Sequence, residues 1–210
     1  MNGSPFELVI TSSWNLLGRF YERKPELNIL DFVCYANNHD ARVLIDEHSE
    51  ADTVFFSIEI PRNIKNDYEK EKKLDTQTLS VVCEELSHFY HLVAAAELEK
   101  SVGVLQLEAL AEIDRFVSFL HWNTFHPEIA IEQRLSNCQQ VYDILFEQRK
   151  FIATNQNLYR DAESLAFHHL RRAFSHCWTQ RYIDTRAFDP RARKYISSLF
   201  HHGSFEQLSA

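Results

Sequence analysis

Two carboxylates and an imidazole stand inside the most apolar stretch of a predicted helix, VVCEELSHFYHL at residues 81–92. Glu84 and His88 are four residues apart, so a helix places them one turn apart on one face, with Glu85 beside them. Charged side chains are rarely buried unless they are paired or bind an ion. This stripe therefore either binds a metal or transfers protons, or it is a solvated face, the common role of a Glu-rich helix.

The next predicted helix repeats this pattern, because Glu108 and Glu112 are again four residues apart. A turn at 99–103 would fold the two helices into an antiparallel hairpin in which residues 84–91 face roughly 109–118. Four or five carboxylates and one imidazole would then converge in an apolar bundle. They would repel one another unless a cation or shared protons compensated them, and this repulsion is the physical argument for a metal.

The string EELSH (84–88) resembles the H-E-x-x-H motif of zinc peptidases, with Glu84 in place of the first histidine. In thermolysin-like gluzincins the third metal ligand is a Glu on the next helix, twenty residues after the second histidine, and an acidic residue follows it by four. Those positions are Glu108 and Glu112 in this chain. The resemblance implies Glu84, His88 and Glu108 as metal ligands, Glu85 as the general base that activates a metal-bound water, and Glu112, Asp114 and His91 as residues that support the ligands.

A carboxylate in place of a neutral imidazole makes the implied site more anionic than that of a zinc peptidase. The expected cofactor is therefore a divalent metal, either Zn²⁺ or a harder ion such as Mn²⁺ or Fe²⁺. The implied function is that of a zincin-like, metal-dependent hydrolase that acts on a small molecule or peptide, with residues 53–60 as a substrate-binding sheet edge. E-E-x-S-H-F followed by L-E-x-x-A-E-x-D-x-F also resembles a set of uncharacterised bacterial proteins.

Glu85 and His88 also match the Glu-x-x-His signature of ferritin-like di-iron bundles, although the chain has no second Glu-x-x-His. The alternative function is that of a non-catalytic helical protein that binds a protein or an acidic partner through its surface.

The final part of the chain is basic. Residues 157–210 contain 8 basic and 5 acidic residues (8 − 5 = +3), whereas residues 1–156 contain 14 and 25 (14 − 25 = −11). Its arginines either bind phosphate, nucleic acid or an acidic partner, or they pair with the acidic part while the aromatic residues pack inward, which is the simpler explanation. The residues concerned are Arg171, Arg172, Arg181, Arg191 and Arg193, and the histidines that qualify as ligands by type alone are His168, His169 and His176.

The composition is that of a globular protein, with 210 residues, 45% hydrophobic and 25% charged, and it favours a single domain over residues 1–210. The net charge of −8 argues against nucleic acid as a partner, and no apolar run has the length of a membrane span. Four cysteines without C-x-x-C spacing argue against a disulfide framework, and the N-terminus does not resemble a signal peptide. The chain is predicted to be cytoplasmic, and a homo-oligomer is left open.

The periodicity predicts an α+β fold, in which a small N-terminal antiparallel sheet (residues 1–60, mostly β) precedes a mainly helical part (61–210). The predicted strands, arranged as a meander after a helix over 14–22, cover 27–36, 41–47 and 53–60. A charged helix or loop follows over 61–73, and the predicted long helices cover 76–99, 104–124, 128–152, 158–183 and 190–201.

Overall fold

The computed structural model describes residues 4–38, 40–48, 53–71, 73–74, 76–125, 130–131, 137–147, 156–175, 178 and 190–202. The predicted α+β class is confirmed, since a small sheet lies near the N-terminus and most later elements are helices. In chain order the elements are α1 (Pro5–Phe20), β1 (Val33–Ala36), β2 (Arg42–His48), β3 (Thr53–Pro61), α2 (Arg62–Glu71), β4 (Lys73–Leu74), α3 (Thr76–Glu97), α4 (Val104–Phe125), β5 (Ala130–Ile131), α5 (Cys138–Tyr142), α6 (Gln156–Ala173) and α7 (Pro190–His202).

Helix α1 begins well before the predicted residue 14, at a capping box that the sequence prediction overlooked. The Ser4 hydroxyl accepts from the backbone N–H of Glu7, the Glu7 carboxylate accepts from the backbone N–H of Ser4, and Pro5 follows at the first helical position. The helix buries a broad apolar face that includes Phe6 and Trp14. The helix therefore contributes side chains to the hydrophobic core from the first described residues onward.

The three-stranded sheet is mixed, so the predicted antiparallel meander is wrong in its strand order. The order is β1-β3-β2, in which β1 pairs parallel to β3 (Val33 opposite Ile58) and β2 pairs antiparallel to it (Leu44 opposite Ser57). The most apolar strand, β3, takes the centre, where Ile58 and Ile60 are fully buried. Because a central strand has no free edge, the predicted substrate-binding edge at residues 53–60 is also wrong.

Helices α3 and α4 form the predicted antiparallel hairpin, with bounds within two residues of the prediction. Helix α3 ends where Glu99 adopts a left-handed conformation (φ 52°) and the N–H of Lys100 donates to the carbonyl of Ala95 at 2.9 Å. This is the hydrogen-bond pattern of a Schellman motif, although the residue is not the usual glycine. The chain thereby reverses between residues 98 and 103.

The predicted helix over 128–152 is not continuous in its described part, because residues 138–147 are helical whereas residues 130–131 form a strand. Ala130–Ile131 form β5, which pairs parallel to β4, and α5 is only one turn and a half long before it passes into a π-helical turn at Asp143–Glu147. The element is broken because residues 130–131 hydrogen-bond to a strand far away in the sequence, which local periodicity does not show.

Helices α4 and α6 pack against each other, and the stacked rings of Phe116 and Trp178 (5.6 Å between centroids) join the C-terminal part to the hairpin. Among the helices that the structure describes, none has the length and apolar character needed to cross a membrane.

Candidate functional site

The acidic stripes of α3 and α4 face each other, as the sequence predicted. Glu84 on α3 and Glu112 on α4 both contact one side chain, and His88 on α3 contacts Glu108 on α4. We call Glu84, Glu85, His88, Glu108, Glu112 and Arg115 the hairpin cluster. Its members lie at an interface whose other residues are largely buried and apolar, so their charges are only weakly screened by water.

His88 is held between two carboxylates. Its Nδ1 lies 3.8 Å from Glu85 Oε2 on the same helix, and its Nε2 lies 3.5 Å from Glu108 Oε2 on the other helix. Burial by itself lowers the pKa of His88, but Glu108 and Glu85 outweigh that effect and raise the pKa to about 10. The two carboxylates therefore favour the protonated form of the imidazole.

The second cation of the cluster is Arg115, which sequence reasoning did not identify. Its guanidinium is buried, and it donates to the Ser80 hydroxyl at 2.7 Å, to Glu112, and to Glu84 over 3.5 Å. Burial lowers the pKa of Arg115, but the attraction of Glu112 and Glu84 more than offsets this and raises it. Part of the charge compensation that the sequence assigned to a metal is therefore supplied by this side chain.

The missed signal for Arg115 was present in LEALAEIDRF. Arg115 stands three residues after Glu112, so a helix places both on the stripe that also contains Glu108. The same stripe therefore carries its own counter-charge.

Among the six side chains that define the hairpin cluster, the formal charges do not balance. Its four carboxylates count for −4 and its two cations for +2, which leaves a formal charge of −4 + 2 = −2. The side chains of Glu84, Glu85, His88 and Glu108 are 12–15% exposed, although Nε2 of His88 itself is buried.

A second polar group lies beside the cluster and is centred on Asp114. This carboxylate is buried and accepts from the Tyr21 hydroxyl at 2.6 Å, from the Ser87 hydroxyl at 2.6 Å, and lies 2.8 Å from His91 Nε2. Burial, followed by the charge of Asp114, raises the pKa of Tyr21 well above its ordinary value. The group ties the end of α1 to α3 and α4, and the His91 ring also contacts Phe200 of α7 at 5.1 Å.

Of the predicted ligands, the structure brings His88 and Glu108 together but directs Glu84 toward Arg115. The predicted base, Glu85, contacts the far side of the imidazole. Among the predicted supporting residues, Glu112 binds Arg115, while Asp114 and His91 bind each other. Within the described residues, no three His, Cys, Asp or Glu side chains are grouped so that they could hold a metal ion as they stand.

Three described arginines of the basic C-terminal part contact the protein itself. Arg193 pairs with Glu22, Arg171 lies over the ring of Trp178 (4.9 Å), and Arg172 lies over that of Tyr195 (5.0 Å). These contacts favour inward packing and internal charge pairing over a phosphate-binding surface. The predicted candidates Arg181 and His176 lie outside the described residues.

His169 is buried close to Tyr195, whose hydroxyl lies 2.7 Å from its Nδ1. Burial, followed by the electrostatic effects of His168 and Arg172, lowers the pKa of His169 to about 4. The lowered pKa favours the neutral imidazole at pH 7. Its contact with Tyr195 joins α6 to α7.

No protein-family model, no curated protein and no solved structure matches this chain.

Proposed function

We propose that the α3–α4 hairpin binds a divalent cation with His88 and Glu108 as its central ligands, as in a zincin-like protein. The observation that carries this proposal is a nearly buried imidazole held between carboxylates of two helices, in a cluster with a formal charge of −2. When His88 gives up its proton to bind a cation, the cluster's own formal charge becomes −4 + 1 = −3, and a divalent cation reduces it to −1. Imidazole nitrogen with carboxylate oxygen is a donor set that suits Zn²⁺, Mn²⁺ or Fe²⁺.

The two nitrogens of His88 face different carboxylates, and this gives them different roles. Glu108 lies on the Nε2 side with the cation, whereas Glu85 lies on the Nδ1 side, where a carboxylate orients a metal-binding imidazole. Glu84 would have to leave Arg115 to complete the predicted ligand set. Binding also displaces the proton of His88, so affinity should rise with pH.

Titration calorimetry with Zn²⁺, Mn²⁺ and Fe²⁺, after treatment with a chelator, tests cation binding. We expect one ion per chain for the wild type and a large loss of affinity for His88→Gln and for Glu108→Gln. Glu26→Gln, which changes an exposed carboxylate, is the matched control and should bind as the wild type does. Equal affinity of all four proteins, or no binding by the wild type, would refute the proposal.

Hydrolysis with Glu85 as the base remains a prediction from the gluzincin resemblance. If it is correct, Glu85→Gln binds the cation but does not hydrolyse peptide or ester substrates. If Glu85 only orients His88, the same variant loses affinity for the cation as well.

Arg115 favours a second candidate, a non-catalytic protein whose hairpin cluster is purely structural. Its guanidinium stands between Glu84 and Glu112, where it reduces the repulsion that motivated a metal. This candidate predicts that the purified protein contains no stoichiometric metal and that divalent cations leave its Tm unchanged. A rise in Tm with added cation that is lost in Glu108→Gln would decide against it.

A further inference from the structure

Strand β2 (Arg42–His48) is at the edge of its sheet, and no described strand pairs with its outer side. All seven of its residues pair with β3 one to one, without a bulge, and it contains no proline. It therefore lacks two of the devices by which proteins protect edge strands from pairing with another chain. The backbone N–H and C=O groups on its outer side can form hydrogen bonds with another strand.

The hairpin of β2 and β3 also exposes large apolar side chains. Ile45 is 49% exposed, Val54 46% and Phe55 57%, and these are three of the five large hydrophobic residues that are exposed in the described part of the chain. Val54 and Ile45 continue the apolar face of the sheet on which Phe56 meets Phe89 of α3. This end of the sheet has an apolar face without a described cover.

Geometry limits how two copies of β2 can pair as antiparallel strands. In a strand, the backbone N–H and C=O groups point to the outer side only at every second residue. Two identical strands can therefore form a regular antiparallel pair only if these residues face each other. This requires that the two-fold axis pass through a residue and not between two residues. When the axis passes through Leu44, Arg42 opposes Asp46, and Val43 opposes Ile45. Each pair matches in character: opposite charge with opposite charge, and apolar with apolar.

The neighbouring registers fail this test. An axis at Ile45 sets Val43 against Glu47 and Leu44 against Asp46, and an axis at Val43 sets Leu44 against Arg42. Each of them places a charge opposite a large apolar side chain, whereas the Leu44-centred register sets a charge only against the small Ala41, opposite Glu47. The register centred on Leu44 is the complementary one.

We propose that β2 pairs with β2 of a second copy of this chain in the register centred on Leu44, so that two three-stranded sheets become one. On the inner face a continuous apolar row results, in which Ile58 and Val43 of one copy meet Ile45 and Phe56 of the other. On the outer face Arg42, whose Nε already donates to Glu59 at 2.8 Å, gains Asp46 of the second copy. This pairing is independent of whether the hairpin cluster binds a cation.

Sedimentation equilibrium of charge variants tests the dimer and its register together. Asp46→Lys sets a lysine against Arg42 twice in the symmetric pair. Arg42→Glu sets a glutamate against Asp46 twice, and it is combined with Glu59→Gln to avoid repulsion within its own chain. Each variant alone should raise the dimer dissociation constant by about tenfold or more. In a mixture of the two, every charge meets its opposite, so heterodimers should form with near wild-type affinity.

Val104→Lys is the control, because it changes an exposed apolar residue (63%) far from the sheet and should leave the dimer unchanged. Ile45→Lys should abolish it, and unchanged thermal unfolding confirms that each variant folds. A wild type that stays monomeric refutes the proposal. So does a dimer that both charge variants leave intact, or one that the mixture does not restore.

Disulfide trapping provides an independent measure of the register. Leu44 lies opposite Leu44 of the second copy, so Leu44→Cys should form an intermolecular disulfide on mild oxidation. Ser57→Cys, one strand further from the axis, should not. Equal cross-linking of the two variants would refute the Leu44-centred register.

Discussion

Replacement of Arg115 by methionine tests whether this side chain compensates the hairpin cluster. Methionine keeps much of the length and apolar contact of the arginine stem but removes the guanidinium. Glu112 and Glu84 then remain in a largely buried interface without their cation, and the Ser80 hydroxyl loses a donor at 2.7 Å. Removal of one partner from a buried ion pair costs about 3–5 kcal/mol of unfolding free energy.

That loss is large relative to the total stability of a domain, which is about 5–15 kcal/mol. At about 2–4 °C per kcal/mol for a chain of this length, Tm should fall by roughly 6–20 °C. Glu112→Gln in the same chain removes the charge of one of the two carboxylates that Arg115 contacts. The double variant should therefore be more stable than the sum of the two single effects predicts, by at least about 1 kcal/mol.

Urea unfolding followed by far-UV circular dichroism, with chelator present, measures these differences. Arg160→Met is the matched control, because Arg160 is exposed on α6, and its effect should stay within about 0.5 kcal/mol. If Arg115→Met is as stable as this control, the guanidinium does not compensate the cluster. Without chelator, a divalent cation that restores part of the lost stability would show that ion and guanidinium serve the same carboxylates.

Three further changes have expected outcomes in the same unfolding assay. In chelated protein, the pKa of His88 is raised to about 10, against 6.5 in the unfolded chain. The protonated imidazole therefore stabilises the fold fully below pH 6.5, and this contribution disappears as the pH rises through 10. The difference in unfolding free energy between wild type and His88→Gln should shrink by roughly a few kcal/mol between pH 6 and pH 10. Tyr21→Phe removes the hydroxyl that donates to Asp114 and should cost roughly 1.5–3 kcal/mol, whereas a loss below about 0.5 kcal/mol would contradict the hydrogen bond. Glu99→Gly relieves a left-handed residue and should gain about 0.5–1 kcal/mol, while Glu97→Gly, at the last residue of α3 where it also removes the ion pair with Arg23, should lose stability.

The hairpin was predictable because its signals are local. The apolar and acidic stripes of α3 and α4 repeat at helical spacing, and the chain between them ends in Gly103. These patterns predicted both helices and their antiparallel packing, while Glu108 beside His88 was what the gluzincin resemblance implied. Strand order was not predictable in this way, because alternation identifies a strand without identifying its partner. The strongly apolar β3 is central, where both of its edges are hydrogen-bonded to neighbouring strands.

Arg115 shows a different limit of sequence reasoning. Its spacing from Glu112 indicates an ion pair, but its burial depends on α5 and the π-helical turn, where Phe146 lies 5.9 Å from the guanidinium. That coverage comes from residues about thirty positions away in a segment that was predicted as one long helix. An arginine on a helix is usually exposed, so local pattern alone favours a solvated Arg115.

The polar groups between α3 and α4 have a consequence for how the hairpin aligns. Leucine, alanine and phenylalanine side chains along two helices pack almost equally well when one helix slides by a turn. Ser80 and Glu84 meet Arg115, and Ser87 and His91 meet Asp114. A slide of four residues would separate both groups at once and leave buried charges without partners, at a cost of several kcal/mol. The hairpin cluster and the Asp114 group together therefore specify the alignment of α3 on α4 whether or not the cluster also binds a cation, and this alignment is what holds His88 against Glu108.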